Sequence, residues 1–327
     1  MEYTLCSNAL SSSLIFENLK GEIIDYKLSS YIVNIKLIEL YYFRPEIEVH
    51  CNKIYGELGN EKYIHIHEIK EPGIYHSKFI LITTTEMLRL IIMTTNITEQ
   101  LIQNCQNDYY FIDIPKSNKM YNTENVKILN KYLDSFGIQM KMPIIMYDWS
   151  LVKSFLLISI PNKISHSMCF QKIKEIQKNI FSKKYNKIIK HLKGKTTIMT
   201  TTGMLGYDIR PVFSTKEIIF KYVKNPIKMN WLLYDLEHNK DEKGKDKYKI
   251  EEIETKPFHF KRYIIEYKYR NDINKWLIIT SANLTRQAWG TTKYTSLNAE
   301  FGIVWNTQKD FPLLNFEIED SKKMDCI

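Results

Sequence analysis

The sequence has few features that would direct it out of the cell or into a membrane. Its 5 cysteines are widely spaced, odd in number and form no C-x-x-C pair; they are Cys6, Cys51, Cys105, Cys169 and Cys326. This pattern favours reduced thiols in an intracellular protein and excludes a zinc ribbon. No apolar run approaches the roughly 20 residues of a membrane-spanning helix. The first residues contain no basic stretch followed by an apolar one, so we expect no signal peptide.

The composition is that of a folded, basic protein. The 327 residues are 44% hydrophobic and 25% charged, which is enough to bury a core in one large domain or two modest ones. The net charge of +9 favours an anionic partner such as nucleic acid, but a chain rich in Ile, Lys and Asn can also be basic by composition alone. Composition therefore leaves both interpretations open.

Two stretches of the chain repeat one plan. Each has His-x-Lys, two apolar runs and then Ser/Thr-x-Asn, and the matching residues are His76, Lys78 and Asn96 in the first copy and His259, Lys261 and Asn283 in the second. The asparagine follows the histidine by 20 residues in the first copy and by 24 in the second. Histidine and lysine two positions apart on a strand point to the same face, and a paired antiparallel strand returns the asparagine to them. We therefore predict two half-sites that meet at one centre.

The residue types of the repeat suit cleavage of a phosphodiester without a metal or another cofactor. Histidine, whose ordinary pKa is about 6.5, can attack phosphorus or protonate the leaving oxygen. Lysine and asparagine can hold the non-bridging oxygens. A single His-x-Lys on a strand would mean little, but two copies with the same continuation are not expected by chance. We predict that one imidazole attacks while the other donates a proton.

Four weaker patterns carry less information. An ordinary strand face is favoured over a metal pair for His65 and His67, because no third ligand has a suitable spacing. The Thr-rich segment that ends at Gly203 could hold a phosphate or be an ordinary strand end. The basic segment 169–195 has the pattern of an amphipathic helix, either solvated or facing DNA. The apolar segment 29–43 has the pattern of a helix running into a strand.

The two repeats resemble the motifs of the tyrosyl-DNA phosphodiesterases, a family of the phospholipase D superfamily. The Ser-Ala-Asn-Leu-Thr run at 281–285, with Ala-Trp-Gly at 288–290, resembles the family's second motif nearly residue for residue. Thr-Thr-Asn at 94–96 and Ala-Glu-Phe-Gly at 299–302 also fit. Thr83 stands where the general phospholipase D signature has an acid, a residue that the tyrosyl-DNA phosphodiesterases also lack.

This resemblance implies an α/β fold of the phospholipase D type. It consists of two pseudo-symmetric α/β/α sandwich halves with mixed sheets, and the active site lies at their interface. We place the N-terminal half, with the first motif, at residues 1–145 and the C-terminal half, with the second motif, at residues 146–327.

The resemblance also implies a DNA repair hydrolase that removes 3′-phosphotyrosyl and other 3′-blocking groups and leaves a 3′-phosphate. His76 would form a phosphohistidine intermediate, and His259 would protonate the departing tyrosine and then activate water. Glu300 would accept a hydrogen bond from His259, while Asn107 matches the position of a polar partner of the first histidine. The phosphate oxygens would be bound by Lys78, Lys261, Asn96 and Asn283, and the DNA strand by Thr201, Gly203, Ser281 and Thr285.

The implied partner is a single-stranded or blunt DNA 3′ end that carries a tyrosyl peptide from a type IB topoisomerase. The enzyme would act as a monomer, away from membranes, in the nucleus or, if it is viral, in the cytoplasm. One alternative is another phospholipase D-superfamily phosphodiesterase, either a nuclease or a phospholipid-cleaving enzyme; Thr83 argues against the latter. A non-catalytic DNA-binding relative is a third possibility, against which the intact histidine pair argues.

Overall fold

In the computed structural model of the protein, the described residues are 1–7, 10–42, 46–56, 63–71, 73–173, 175, 193–200, 210–213, 217–222, 240, 243, 245–246, 249–252, 258–269, 272–291 and 295–306. Strands make up most of this structure. In chain order they are β1 (Glu2–Ser7), β2 (Ile23–Asn34), β3 (Ile47–Tyr55), β4 (Ile64–Glu68), β5 (Ile74–Tyr75), β6 (Phe79–Thr84), β7 (Met87–Met93), β8 (Asn107–Pro115), β9 (Phe155–Ser159), β10 (Lys193–Thr200), β11 (Glu217–Tyr222), β12 (Lys249–Glu252), β13 (Lys261–Tyr269), β14 (Asp272–Thr280) and β15 (Asn298–Asn306).

The helices are mostly short. In chain order they are α1 (Ser12–Phe16), α2 (Ile35–Leu37), α3 (Glu99–Asn104), α4 (Glu124–Ser135), α5 (166–173), α6 (Arg210–Phe213) and α7 (Arg286–Trp289). The sequence starts α4 with Thr123, whose hydroxyl accepts a hydrogen bond from the backbone N–H of Val126 as a helix cap. No helix within the described ranges is long and apolar enough to cross a membrane.

The described strands form two sheets of matching design. The first has the order β1-β8-β7-β6-β2-β3-β4, and the second has the order β12-β11-β10-β13-β14-β15-β5, with β9 also paired to β15. In each sheet an antiparallel hairpin lies at the centre, β6–β7 or β13–β14. Parallel strands continue on one side of the hairpin, β2–β3–β4 or β10–β11–β12. The other side carries two antiparallel strands, β8 and β1 or β15 and β9. The predicted α/β fold of two pseudo-symmetric halves with mixed sheets is confirmed.

The central strands of the first sheet are buried on both faces. In β6, Phe79 and Leu81 pack into a core to which both sheets contribute, whereas Ile80 and Ile82 pack into a second core on the opposite face. Side chains alternate between the two faces of a strand, so a strand with apolar residues at nearly every position is covered on both sides. The buried side chains of α4 join the shared core. This packing fixes the hairpins that carry the two motifs.

A short crossing of the chain brings the first motif to the second sheet. Strand β5 pairs in parallel with β15, which aligns Tyr75 with Ala299. The turn before it needs glycine, because Gly73 has a φ of +67° and a Cβ there would collide with the carbonyl oxygen of Leu297. The backbone N–H of His76 then donates to the carbonyl of Ala299 at 2.9 Å. His76 therefore lies beside β15 even though the strand that follows it, β6, belongs to the first sheet.

The apolar segment 29–43 differs from the sequence-based expectation. It continues β2 and then turns into α2 and the helical turn Ile38–Tyr42, so the strand precedes the helix. The side chain of Asn34 accepts a hydrogen bond from the backbone N–H of Lys36, which is a cap that starts a helix at that point. The expected helix in 169–195 is present in its first part as α5, and β10 begins at Lys193. The division of the chain near residue 145 stays a prediction.

Candidate active site

The two predicted motifs occupy equivalent places in the two sheets. His76 and Lys78 lie immediately before β6, while Lys261 is the first residue of β13 and His259 lies two residues before it. The asparagines follow the second strand of each hairpin, Asn96 after β7 and Asn283 after β14. The predicted strand–turn–strand plan is therefore confirmed for the residues that follow each motif, whereas His76, Lys78 and His259 lie before the strand on which they were expected. Both histidines and both lysines are buried.

In the first half-site, His76 lies between a lysine and a carboxylate. Its Nδ1 is 2.9 Å from Oε2 of Glu300. An ionised carboxylate can only accept hydrogen bonds, so His76 donates through Nδ1–H and keeps a lone pair on Nε2. The ammonium of Lys78 is 3.2 Å from that Nε2 and donates to the carbonyl of His76 at 2.8 Å. The histidine is thus oriented with the lone pair of Nε2 next to a cation.

Glu300 is itself held by polar neighbours. The hydroxyl of Ser281 donates to Glu300 Oε2, and the side-chain amide of Asn298 donates to Oε1 at 3.1 Å. The backbone N–H of Glu300 donates to the hydroxyl of Ser159 at 3.0 Å. Because its side chain is fully buried, its geometry is set by these contacts and by His76.

The predicted partner of Glu300 was wrong. The sequence-based expectation paired Glu300 with His259, but the contact is with His76. The reason is the pairing of β5 with β15, which brings the residue just after β5 beside the start of β15. Only a tertiary contact of this kind determines which of the two histidines meets the carboxylate.

In the second half-site, the acceptor is a backbone carbonyl. His259 Nδ1 is 2.8 Å from the carbonyl oxygen of Thr94, and Lys261 Nζ donates to the same oxygen at 3.1 Å. A carbonyl oxygen cannot donate, so the Nδ1 of His259 carries the proton and Nε2 holds the lone pair when the ring is neutral. Lys261 Nζ also lies 2.9 Å from His259 Nε2. Thr94 belongs to the first half, so each histidine is oriented by the opposite half of the molecule.

The electrostatics follow from burial. Burial lowers the pKa of Lys78 to about 7, with Glu300 opposing the effect. Burial and the neighbouring lysines lower the pKa of His259 well below its ordinary value, and burial also lowers the pKa of His76, against which Glu300 acts. Burial alone would raise the pKa of Glu300, but His76 and Lys78 outweigh it and bring that pKa to about 2. Such a site favours an anion, because bound negative charge would restore the protonated form of its bases.

The two asparagines of the motifs each carry a buried polar atom without a partner among the described residues. Within the described part of the chain, the Oδ1 atoms of Asn96 and Asn283 are buried and have no hydrogen-bond partner. Because the oxygen and nitrogen of a side-chain amide can exchange places by rotation, either group can present N–H donors to an oxyanion. Buried amides are normally satisfied, so these two are suited to a ligand.

The residues predicted to contact DNA have mixed outcomes. The hydroxyl of Ser281 accepts from the backbone N–H of Phe301 at 2.9 Å and donates to Glu300, so its predicted DNA contact is revised to support of Glu300. The hydroxyl of Thr285 caps α7 by accepting from Ala288 N–H at 3.2 Å, and its DNA contact stays a prediction. Thr201 and Gly203 lie outside the described residues.

The side-chain amide of Asn107 is used to hold the backbone of its own half. Its side-chain amide donates to the backbone carbonyls of Leu101 and Cys105, at 3.1 and 2.9 Å. The neighbouring residue Gln106 instead receives the backbone N–H of His259 on its carbonyl, at 2.7 Å. This stretch of the first half therefore supports the second motif.

Sequence reasoning missed three residues that hold the second half-site, namely Thr94, Asp108 and Arg262. Asp108 and Arg262 form a buried ion pair between the two halves, with Arg262 Nε 3.1 Å from Asp108 Oδ2. Two signals were present in the sequence, since Thr94 opens the Thr-Thr-Asn run of the first motif and Arg262 directly follows the motif lysine. For a metal, no group of three or more His, Cys, Asp or Glu side chains is suitably arranged in the described ranges.

Known proteins share both sequence pattern and fold with this chain. The sequence profile of the tyrosyl-DNA phosphodiesterase family matches residues 44–179 and 197–325. The structure of yeast tyrosyl-DNA phosphodiesterase has a TM-score of 0.71 at 14% identity, covering 93% of this chain and 90% of that one. A His-to-Ala variant of the yeast enzyme has a TM-score of 0.71 at 14% identity, covering 93% and 89% of the two chains.

A more distant structure shares only the fold. Polyphosphate kinase from Porphyromonas gingivalis has a TM-score of 0.50 at 11% identity and covers 95% of this chain but 48% of that one. Identities this low carry no information on substrate. No curated protein sequence matches the chain.

Proposed function

Because the chain belongs to the tyrosyl-DNA phosphodiesterase family and is therefore a phosphodiesterase, we propose that it hydrolyses the bond between a DNA 3′-phosphate and a tyrosine side chain. Other groups that block DNA 3′ ends are proposed as further substrates. The observation that carries the proposal is the pair of buried His-Lys sets, in which the two imidazoles are oriented by different acceptors, Glu300 and the Thr94 carbonyl. Two histidines with unlike surroundings suit a nucleophile and an acid.

In the first step, His76 attacks. The lone pair on Nε2 of His76 forms a bond to phosphorus while the bond from phosphorus to the tyrosine oxygen breaks. Protonated His259 gives its Nε2 proton to that oxygen, so tyrosine leaves as a neutral phenol. The new phosphohistidine ring carries positive charge, which Glu300 stabilises through the Nδ1 hydrogen bond of 2.9 Å.

In the second step, water releases the DNA. Neutral His259 takes a proton from water, the water oxygen bonds to phosphorus, and the bond to His76 breaks. The products are a DNA 3′-phosphate, neutral His76 and protonated His259, so the enzyme returns to its starting state. The bound phosphodiester supplies the negative charge that lets His259 begin as the acid, and this charge opposes the burial and the lysines that lower its pKa.

The lysines and asparagines stabilise the transition state. Lys78 and Lys261 are buried cations when protonated, and each lies within 3.2 Å of its histidine's Nε2, next to where phosphorus must bind. In a water-poor site such charges act strongly on the equatorial oxygens. Asn96 and Asn283 add neutral donors to the same oxygens.

The test is cleavage of a single-stranded oligonucleotide with a 3′-phosphotyrosine, in the presence of a chelator. We expect release of tyrosine and formation of a 3′-phosphate. His76→Ala should abolish both, while His259→Ala should release tyrosine slowly and accumulate a covalent protein–DNA adduct. A well-folded protein that leaves this substrate intact would rule the proposal out. Unmodified DNA and a phospholipid, tested beside it, would then distinguish a nuclease from a lipid-cleaving enzyme.

The proposal includes the setting in which the enzyme acts. Its partner would be a DNA 3′ end, single-stranded or blunt, that carries a tyrosyl peptide from a type IB topoisomerase. We further propose that it acts as a monomer inside the cell, in the nucleus or, for a viral protein, in the cytoplasm.

A further inference from the structure

We propose that Thr94, Asp108 and Arg262 are positioning residues that form a bridge between the two halves and keep His259 in place for the second chemical step. The inference rests on the proposed function, because it assigns the bridge to one of the two steps written above. None of the three side chains touches the reacting atoms. They act through the carbonyl of Thr94, which is the acceptor of His259.

The first part of the bridge is the Thr94 carbonyl. It accepts from His259 Nδ1 at 2.8 Å and from Lys261 Nζ at 3.1 Å. One backbone oxygen of the first half therefore orients both functional side chains of the second motif. Unlike a carboxylate on a side chain, this acceptor can be placed only by placing the backbone. Whatever fixes the peptide of Thr94 consequently fixes His259.

The second part holds that peptide. The backbone N–H of Thr94 donates to the carbonyl of Asp108 at 3.1 Å, and the backbone N–H of Asp108 donates to the Thr94 hydroxyl at 2.9 Å. Both residues are buried, so water does not replace these hydrogen bonds. The hydroxyl of Thr94 thus extends the pairing of β7 and β8 by one further contact beyond the end of β7.

The third part closes the bridge. The carboxylate of Asp108 receives Nε of Arg262 at 3.1 Å and also its Nη2, and the guanidinium lies 4.4 Å from the ring centre of Phe260. Arg262 directly follows Lys261 in β13. Two neighbouring residues of the second half are therefore attached to two residues of the first, Lys261 to Thr94 and Arg262 to Asp108. The attachment prevents the start of β13 from sliding along the end of β7.

The second step depends on this placement more than the first. Tyrosine is a fairly good leaving group, because its ordinary pKa is about 10, so its departure needs only moderate help from an acid. Water has a pKa of about 15.7, and its attack needs a well-aimed base. A loosened His259 should therefore slow hydrolysis of the phosphohistidine and leave tyrosine release much less affected.

The experiment compares Thr94→Val, which removes the hydroxyl at nearly constant shape, with Thr94→Ser, which keeps it. Single-turnover reactions on the 3′-phosphotyrosyl oligonucleotide measure tyrosine release and decay of the covalent adduct separately. We expect Thr94→Val to slow adduct decay about ten-fold, a fraction of the ~100- to 10,000-fold that general acid–base catalysis contributes. Thr94→Ser should restore most of that loss.

A matched control comes from another buried threonine of the first sheet. The hydroxyl of Thr83 donates to Asp25 at 2.7 Å, away from both motifs. Thr83→Val should lower stability by an amount similar to Thr94→Val, yet leave the ratio of the two rates unchanged. If Thr94→Val does not fold, Arg262→Lys tests the same bridge, because lysine keeps the charge but loses the two-atom contact with Asp108.

The pH dependence of the rate of adduct decay is a further measurement, and a loss of stability alone would not change it. His259 must be neutral to take a proton from water, and its other charged neighbours are Lys261, Lys78 and His76. The Thr94 hydrogen bond favours the protonated ring, so a weakened bond should shift the acidic limb of adduct decay to lower pH. An unchanged limb together with an unchanged rate ratio would overturn the bridge. Absence of tyrosine release by the unmodified enzyme would instead overturn the proposed function, and the assignment to the second step with it.

Discussion

The two half-sites share a backbone plan but differ in the partner of the histidine. In the first, His76 faces the carboxylate of Glu300; in the second, His259 faces the neutral carbonyl of Thr94. A carboxylate stabilises a positive imidazole ring, which suits a nucleophile that becomes a phosphohistidine. A neutral carbonyl fixes the proton on Nδ1 but stabilises the protonated ring less than a carboxylate does. The protonated ring therefore gives up its Nε2 proton more easily, which suits an acid. The fold is pseudo-symmetric, and the asymmetry that the chemistry needs lies in these two acceptors.

The comparison also concerns where the acceptors come from. Glu300 belongs to β15 of the second sheet and serves the histidine of the first, whereas Thr94 follows β7 of the first sheet and serves the histidine of the second. Neither half therefore has a complete site of its own. The interface between the halves orients the functional groups, and contacts across it should matter for rate as much as for stability.

The largest effect should come from replacing the carboxylate with an amide. Glu300→Gln removes the charge and lets an amide N–H face the His76 ring, which favours the wrong tautomer for attack through Nε2. We expect tyrosine release to slow by about 1,000- to 10,000-fold, in line with the loss seen when the acid of a serine-protease triad is made an amide. Single-turnover release of tyrosine measures it.

The same variant tests which histidine Glu300 serves. If the carboxylate supports His76, Glu300→Gln should slow the first step far more than the second. Loss confined to adduct decay would mean that Glu300 acts on His259, as the sequence alone suggested. Glu300→Asp is the control, since it keeps the charge at a shorter reach and should retain part of the rate.

The sequence predicted the half-sites because their signals are local. A histidine and a lysine two residues apart, an apolar strand, a turn and a second strand that ends in asparagine are all set by neighbours along the chain. The nearly continuous apolar runs of β6 and β7 likewise follow from burial of both strand faces. Repetition of the plan then indicated the pseudo-symmetric fold.

The exchange of acceptors could not be predicted in the same way. A backbone carbonyl such as that of Thr94 has no sequence signature, since every residue carries one. The contact of Glu300 with His76 depends on the pairing of β5 with β15, a strand more than 200 residues away along the chain. The hydrogen bond between His76 and Glu300 accordingly joins residues 224 positions apart. Ser281 resembled a ligand contact because the motif contains it, whereas its hydroxyl is used inside the protein.

A second, smaller effect is the dependence of stability on pH that burial of Lys78 causes. Its pKa falls from 10.5 to about 7 on folding, chiefly through burial. Between these values the unfolded chain binds the proton and the folded one does not, so the free energy of unfolding should rise with pH across that window. The cost of the buried charge is fully present below about pH 7 and is lost as the pH approaches 10.5.

Lys78→Met should therefore flatten this rise and stabilise the protein near neutral pH while abolishing activity. The slope that one lysine contributes is at most about 1.4 kcal/mol per pH unit, and Lys261 would continue to contribute in the same direction. Denaturant unfolding across the pH range measures it. Lys127→Met, at an exposed position on α4, removes a charge without affecting a buried site. Parallel pH curves for Lys78→Met and the unmodified protein would contradict the assignment.

The smallest effect concerns the support of Glu300. Ser281→Ala removes the hydroxyl that donates to the carboxylate and leaves the backbone N–H of Phe301 without its acceptor. One lost hydrogen bond is worth about 1 kcal/mol, so tyrosine release should slow roughly five-fold. Ser159→Ala is the matched control, because it removes a hydrogen bond of 3.0 Å to the backbone N–H of Glu300 and leaves the carboxylate contacts in place. Equal slowing by both variants would mean that Ser281 acts only through stability. If only Ser281→Ala slows the first step, the hydroxyl of Ser281 acts through the carboxylate of Glu300, the acceptor that distinguishes the first half-site from the second.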